Sequence, residues 1–411
     1  MRILYVTANF PFGRETFFIP EIHELLRRGH ELLVIPTWPR GIVLDKQVLE
    51  NCSTCAGVVS LTVLKDAIAE WFHDPVASLR QLHRVTNTRT VGIACKNLAI
   101  FPKALWLARL ATRWRADHIY AQWAGTSASM AMIAGTIASI PWSLTAHRWD
   151  ITENNLLQEK IASATFVRFI SRDGYEAAVS RCSGSQINHG IVLHMGVDVP
   201  AIHRPAPPRE PAVALCVASL IQLKGHIYLF EAVRSLKNRG VYVELLLAGD
   251  GPMRRRLERA AEDLGVSSQI TFLGEVAHGE LMGLYSGGRV TMVVLPSLIE
   301  GIPVSLMEAM SYGVPVIATD VGGTAELVGG GAGVLVTAGQ SENLAEQIEF
   351  LAGNPEHWVR LGEEGRRRIE ADFDVRKIVA ELVRCMEANT AAAGTGAETD
   401  RAEVSQLGRH G

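Results

Sequence analysis

Short apolar runs bounded by glycine and proline alternate along this chain with stretches whose apolar residues recur every three or four positions. Residues 3–7 read as a buried strand. Residues 16–28 carry Ile19, Ile22, Leu25 and Leu26 at helical spacing, Gly29 ends the segment, and 32–36 form a second strand. The rhythm continues with strands at 118–123, 142–147, 167–171 and 191–197, then restarts at Ala212. There it predicts strands at 213–218, 243–248, 270–273, 291–295 and 314–318. Helices are predicted at 226–238, 281–285, 303–312, 341–351, 355–370 and 375–387. Apolar strands separated by amphipathic helices imply two parallel sheets covered on both faces, an α/β architecture.

The length, 411 residues, suits two domains, and 48% apolar residues supply two cores. The division expected is an N-terminal domain over 1–199, a stiff linker over 200–211 with five prolines, and a second domain over 212–370. A final helix follows over 371–387, then a polar tail over 388–411. A net charge of −3 argues against a general nucleic-acid binder. Cys52, Cys55, Cys95, Cys182, Cys216 and Cys385 give no disulfide framework, so a reducing cytoplasm is expected. Cys52 and Cys55 form a CxxC without the second pair that a structural zinc needs. The opening MRILYVTANF reads as the first strand and not as a leader. The uncharged stretch 121–146 is rich in Ala, Gly, Ser and Thr, which predicts a buried helix and strand and not a membrane span.

The stretch 291–328 carries the candidate chemistry. It reads strand, polar loop, helix, strand, with Glu300 in the loop and Glu308 inside the helix. In open α/β sheets ligands bind beyond the carboxyl ends of strands, and unsatisfied N–H groups at a helix start receive phosphate. A carboxylate there can accept hydrogen bonds from sugar hydroxyls beside an anion. The plainer reading makes Glu308 the wet face of an amphipathic helix and Glu300 a loop acid. The first loop contains Gly13 but no GxGxxG, so the dinucleotide fingerprint is absent. Lys224 stands just before the helix at 226, and His147 follows a strand end.

Glu300 and Glu308, followed by Ala309-Met310, Gly313, Pro315-Val316-Ile317 and Gly322-Gly323, resemble the nucleotide-sugar signature of retaining glycosyltransferases of family 4. The pattern RETFFIPEI with TAHRWDI is similar to transferases of bacterial exopolysaccharide and colanic-acid synthesis. The resemblance implies the GT-B fold, two Rossmann-like domains facing across a cleft with the last helix crossing back to the first domain. It implies transfer of a sugar from a nucleoside diphosphate sugar to a hydroxyl of a saccharide or lipid-linked acceptor, with retention and without a metal or further cofactor. On that likeness His147, Lys224 and Glu300 are the catalytic candidates. Gly13, Ser219, Lys224, Val276, Glu300, Gly301, Ile302, Pro303, Val304 and Glu308 are the donor-binding ones. Many relatives carry an arginine where this chain has Ser219, so one positive charge is missing.

Three rivals stand beside transfer: a glycosidase built on the two glutamates, a nucleotide-sugar epimerase on the same fold, and a non-catalytic scaffold in polysaccharide assembly. Between Arg80 and Arg115 lie eight Lys or Arg and no acid, interleaved with Phe101, Trp106 and Trp114. That run is expected either to lie on an anionic membrane or to find its counter-charges elsewhere in the fold. The expected location is the cytoplasm, peripheral to the inner membrane face. Asp372-Phe373-Asp374 reads as a helix start near Asp374 and not as a metal motif.

Overall fold

The computed structural model describes residues 1–10, 17–40, 57–182, 187–201 and 211–388. Gly13, Cys52, Cys55, linker residues 202–210 and the tail from 389 lie outside the described residues. The chain divides into two compact units. Of the described residues, one unit holds those of 1–194 together with 376–388, and the other holds those of 195–375.

The first unit is built on six parallel strands: β1 (Arg2–Thr7), β2 (Glu31–Pro36), β3 (His118–Gln122), β4 (Trp142–Ala146), β5 (Val167–Phe169) and β6 (Gly190–Val192), ordered β2-β1-β3-β4-β5-β6. The strand expected over 191–197 is thus confined to three residues. Alternate residues divide the faces of the sheet. Leu4, Val6, Ile119, Ala121, Leu144 and Ala146 join one apolar core with helices Val91–Trp114 and Thr126–Ala138. The small residues of the latter helix allow close packing, as the uncharged stretch predicted. Among the described residues Val91–Trp114 is the one helix long and apolar enough to cross a membrane, yet it lies in this core.

The opposite face is polar and buried. Tyr5, Tyr120, Gln122, Thr145 and Arg168 line it, and Glu21 enters it from helix Ile19–Arg27. Arg168 Nη1 donates to Glu21 Oε2 at 2.5 Å, and Tyr5 Oη donates to Glu21 Oε1 at 2.6 Å. Gln122 Nε2 donates to Glu21 Oε1 at 2.8 Å, and Arg168 Nε to the Leu193 carbonyl at 2.8 Å. Every charge in this layer therefore has a partner, which its burial requires. The helix over 375–388 places Val379, Leu382 and Met386 among buried residues, and from 376 it belongs to this unit.

Among the described residues, two helices before Val91–Trp114 were not predicted by the hydrophobic pattern: Leu61–His73 and Pro75–Thr86. Each starts on a side-chain cap. Ser60 Oγ accepts from the Val63 N–H at 3.3 Å and Asp74 Oδ1 from the Ala77 N–H at 2.8 Å.

The second unit carries β7 (Ala212–Val217), β8 (Val243–Ala248), β9 (Ile270–Gly274), β10 (Met292–Leu295), β11 (Val316–Thr319) and β12 (Val334–Val336), all parallel, in the order β12-β11-β10-β7-β8-β9. Helix His226–Asn238 spans the residues predicted for it. Helix Val304–Ser311 is shorter than predicted by one residue at each end. Pro303 is the extended cap before it, and Gly313 follows in the left-handed region at φ +68°. Trp358 anchors helix Pro355–Arg368 by donating to the Thr291 carbonyl at 2.5 Å. A wider π-type turn over Ile369–Phe373 then leads to Asp374, directly before the helix over 375–388.

Removing one member of the buried Glu21–Arg168 pair strands the other. Arg168→Met should destabilise the first unit by about 3–5 kcal/mol, and the double change Glu21→Gln with Arg168→Met should recover part of that loss. Thermal melting of the three chains checks both.

Candidate active site

In the second sheet the chain proceeds outward from β7 through β8 to β9 on one side, and from β10 through β11 to β12 on the other. The direction reverses between β7 and β10, and a crevice outside the carboxyl ends of those two strands is where such sheets bind ligands. The loop after β7 holds Ser219 and Lys224, and the loop after β10 holds Glu300. These loops are knitted together. The Leu298 N–H donates to the Leu223 carbonyl at 2.8 Å. Gly225 sits at φ +64°, and a Cβ there would stand 2.0 Å from the Pro296 carbonyl oxygen, so only glycine permits the approach.

Lys224 and Glu300, 76 residues apart in sequence, form an ion pair at this point. Ser297 Oγ donates to the same Glu300 oxygen at 2.7 Å. The Glu300 side chain is 9% exposed and that of Lys224 is 23% exposed, so the lysine is the more accessible of the two. The neighbouring loops join the same end of the sheet. The Leu220 N–H donates to the Asp250 carbonyl and the Gly249 N–H to the Gly274 carbonyl. A Cβ on Gly249 would lie 2.1 Å from the Ala218 carbonyl oxygen.

Beyond Glu300 the chain passes through half-buried Gly301 and buried Ile302 and Pro303 into helix Val304–Ser311. The first N–H groups of that helix have no partner within it, which makes its start suitable for an anion. One turn further in, Glu308 Oε1 meets His278 Nε2 at 3.0 Å, at the head of helix His278–Ser286. The hydrogen bond to Glu308 raises the His278 pKa above its ordinary 6.5. Ser219 is exposed at the mouth of the β7 loop, and Val276 is half-buried in the loop after β9. The structure therefore brings Lys224, Glu300 and the Val304 helix start to one end of one sheet. It adds two residues that the sequence reading passed over, Ser297 and His278. Ser297 had a local signal, three residues before Glu300, whereas nothing in sequence links His278 to Glu308.

His147 lies in the first unit. It caps helix Arg148–Glu153, and its N–H donates to Asp150 Oδ1 at 2.7 Å. His147 is 6% exposed, and its ring centroid lies 4.2 Å from that of Trp123 and 5.5 Å from that of Phe17. Burial, with the Arg168 charge second, pushes its pKa down to about 3, so the imidazole is neutral at physiological pH. Gln122 Oε1 lies 3.4 Å from His147 Nε2, which ties the ring to the polar layer. Beside it opens a cavity of about 570 Å³, lined by residues that include Ala8, Trp38, Lys96, Trp123 and Asp150. It lies where the first sheet reverses direction, between β1 and β3. Trp123 holds φ +77°, a left-handed conformation that bulky residues rarely adopt.

Residues 200–368 match the family described as Glycosyl transferases group 1. This stretch is a glycosyltransferase group 1 domain. It makes the chain a glycosyltransferase, and it contains Lys224, Glu300 and Glu308. Over 94% of its length the chain is 26% identical to the whole of the putative colanic acid biosynthesis glycosyltransferase WcaL of Escherichia coli. Over 94% of its length it is 22% identical to 99% of the amylovoran biosynthesis glycosyltransferase AmsK of Erwinia amylovora. The solved structure of Anabaena HepE in complex with UDP-glucose superposes with a TM-score of 0.68 at 19% identity, covering 94% of this chain and all of that one. The two-sheet α/β architecture is thus the GT-B fold.

The His278–Glu308 contact has a defined pH signature. A histidine whose folded pKa is raised stabilises the fold fully below about 6.5, and that contribution fades as pH rises through the raised value. NMR titration of wild type should place the His278 midpoint above 6.5. In Glu308→Gln it should fall back toward 6.5.

Proposed function

We propose that this glycosyltransferase moves a sugar from a nucleoside diphosphate sugar to a hydroxyl of a saccharide or lipid-linked saccharide during cell-surface polysaccharide synthesis, with retention of configuration and without a metal. The observation that carries the reading is the Lys224–Glu300 pair at the reversal point of the second sheet. A diphosphate carries more negative charge than one carboxylate and can draw Lys224 to itself. That leaves Glu300, steadied by Ser297, to accept hydrogen bonds from the sugar. Lys224 then stabilises charge as it develops on the leaving diphosphate, together with the N–H groups at the start of helix Val304–Ser311 and the hydroxyl of Ser219.

Glu308 accepts from the ribose hydroxyls in this reading, in place of His278. The backbone around Gly301, Ile302, Pro303 and Val304 lies along the phosphates, and Val276 lies against the base. In this reading His147 contacts the sugar as a neutral imidazole. The cavity beside Trp38 and Trp123 suits an acceptor, because aromatic faces pack against sugar rings and the polar groups around them fix orientation. The names of the relatives in colanic-acid and amylovoran synthesis support a polysaccharide product. A seat on the inner face of the membrane belongs to the same reading, since a lipid-linked acceptor resides there.

Titration of uridine and guanosine diphosphate sugars by calorimetry, followed by turnover with lipid-linked acceptors, tests the proposal. Glu308→Gln should weaken nucleotide binding by roughly 1–3 kcal/mol, the worth of a hydrogen bond to a charged group. Lys224→Ala should abolish most turnover. Wild-type rates in Lys224→Ala would remove the lysine from the mechanism. Product formed without acceptor would favour the epimerase, and donor binding without turnover the scaffold.

A further inference from the structure

The basic run from Arg80 to Arg115 is not one surface in the folded chain. Arg109 pairs with Asp66 and Glu70, Arg113 with Asp66, and Lys96 with Glu153 at 2.5 Å. Lys103 is buried and donates to the Pro36 and Thr37 carbonyls. Much of the charge that suggested a membrane is therefore consumed inside the first unit.

The two helices at and before the start of that run, Leu61–His73 and Pro75–Thr86, show the opposite arrangement. On Leu61–His73 the side chains of Leu61, Leu64, Ile68 and Phe72 are exposed, Leu61 at 86% and Phe72 at 78%. Their spacing of three to four residues puts them in one stripe, while Val63, Ala67 and Glu70 face the core. On Pro75–Thr86, Val76 and Leu79 are each 58% exposed, whereas Ser78 and Gln81 are buried. Each helix keeps apolar residues on its inner face, Val63 and Ala67 on one and Val85 on the other, and turns a further set of large apolar side chains outward, unlike a helix whose outer face meets only water. The exposed charged residues from 61 to 91 are Lys65, Arg80 and Arg89 against Asp74, and Asp74 is the cap that accepts from Ala77. The other acids, Asp66 and Glu70, are held inward by Arg109 and Arg113.

We propose that helices Leu61–His73 and Pro75–Thr86 dock the chain on an anionic lipid bilayer, with Leu61, Ile68, Phe72, Val76 and Leu79 entering the boundary between headgroups and acyl chains and Lys65, Arg80 and Arg89 meeting lipid phosphates. Aliphatic and aromatic residues on one face with cations beside them is the chemistry of an interfacial helix. A second copy of the chain fits less well. In a two-fold contact the same patch meets itself, which sets the three cations against their own copies. The inference deepens the membrane seat of the proposed function by placing it on helices Leu61–His73 and Pro75–Thr86 and keeping only Arg80 and Arg89 of the 80–115 run, and it holds or fails independently of donor binding.

Flotation of the full chain with vesicles tests it. The wild type should rise with phosphatidylcholine vesicles containing phosphatidylglycerol, rise less with phosphatidylcholine alone, and lose the difference in high salt. Ile68→Asp with Phe72→Asp should lower vesicle binding by about tenfold or more. Lys65→Glu with Arg80→Glu should abolish the preference for phosphatidylglycerol. Both variants should melt like wild type and bind nucleoside diphosphate sugar unchanged. If the aspartate variant misfolds, Ile68→Ser with Phe72→Ser and the charge-reversal pair carry the same test. No binding to anionic vesicles, or equal binding by all variants, overturns the proposal. A wild-type dimer that Phe72→Asp splits into monomers overturns it too, making the face an interface between copies.

Discussion

A parallel strand can reach its neighbour only by a crossover that travels over the face of the sheet, and that constraint shapes both units. Once a sheet grows from a central strand in two directions, the loops at its carboxyl end must part where the directions diverge. In the second unit they part between β7 and β10. Lys224 and Glu300 meet across that parting, each carried by the loop that closes its own strand. The position of the site thus follows from strand order, and the residues supply only its charge. In the first unit the same parting lies between β1 and β3, and the cavity beside Trp123 opens there.

The two sheets use their faces differently. The second unit has apolar clusters on both sides of its sheet, while the first has an apolar core on one face and a charged network on the other. A buried ion pair adds little to stability compared with apolar packing, but it tolerates few alternative arrangements. The network also reaches toward His147 through Gln122. The histidine expected to meet the sugar is therefore held by groups whose own geometry is fixed by Glu21 and Arg168.

What the sequence made legible was local. Helix His226–Asn238 was legible from the restart of the strand and helix rhythm at Ala212, and the 291–328 stretch displayed its strand, loop and helix in order. The family likeness pointed to Lys224, Glu300 and Glu308, and the fold brings the first two together. The rest depended on pairs far apart in the chain. Nothing near Glu300 announces Lys224 as its partner, and nothing near Glu308 announces His278. The polar layer was present as alternation in His118, Tyr120 and Gln122 and in Ser143 and Thr145. A strand of a parallel sheet is expected to be apolar throughout, so that alternation was passed over. The helices over 61–86 escaped for a related reason, because apolar residues on a surface look like core until the fold shows which way they face.

The first unit is discontinuous, since the helix from 376 joins residues 1–194 only after the whole of 195–375 has been made. On the ribosome the earlier sheet has all six of its strands by residue 192, yet the surface later taken by Val379, Leu382 and Met386 stays wet until 195–375 has been made. Synthesis order and completion order are inverted. A stall or cleavage before 376 would leave a finished second unit tethered to an unfinished first one.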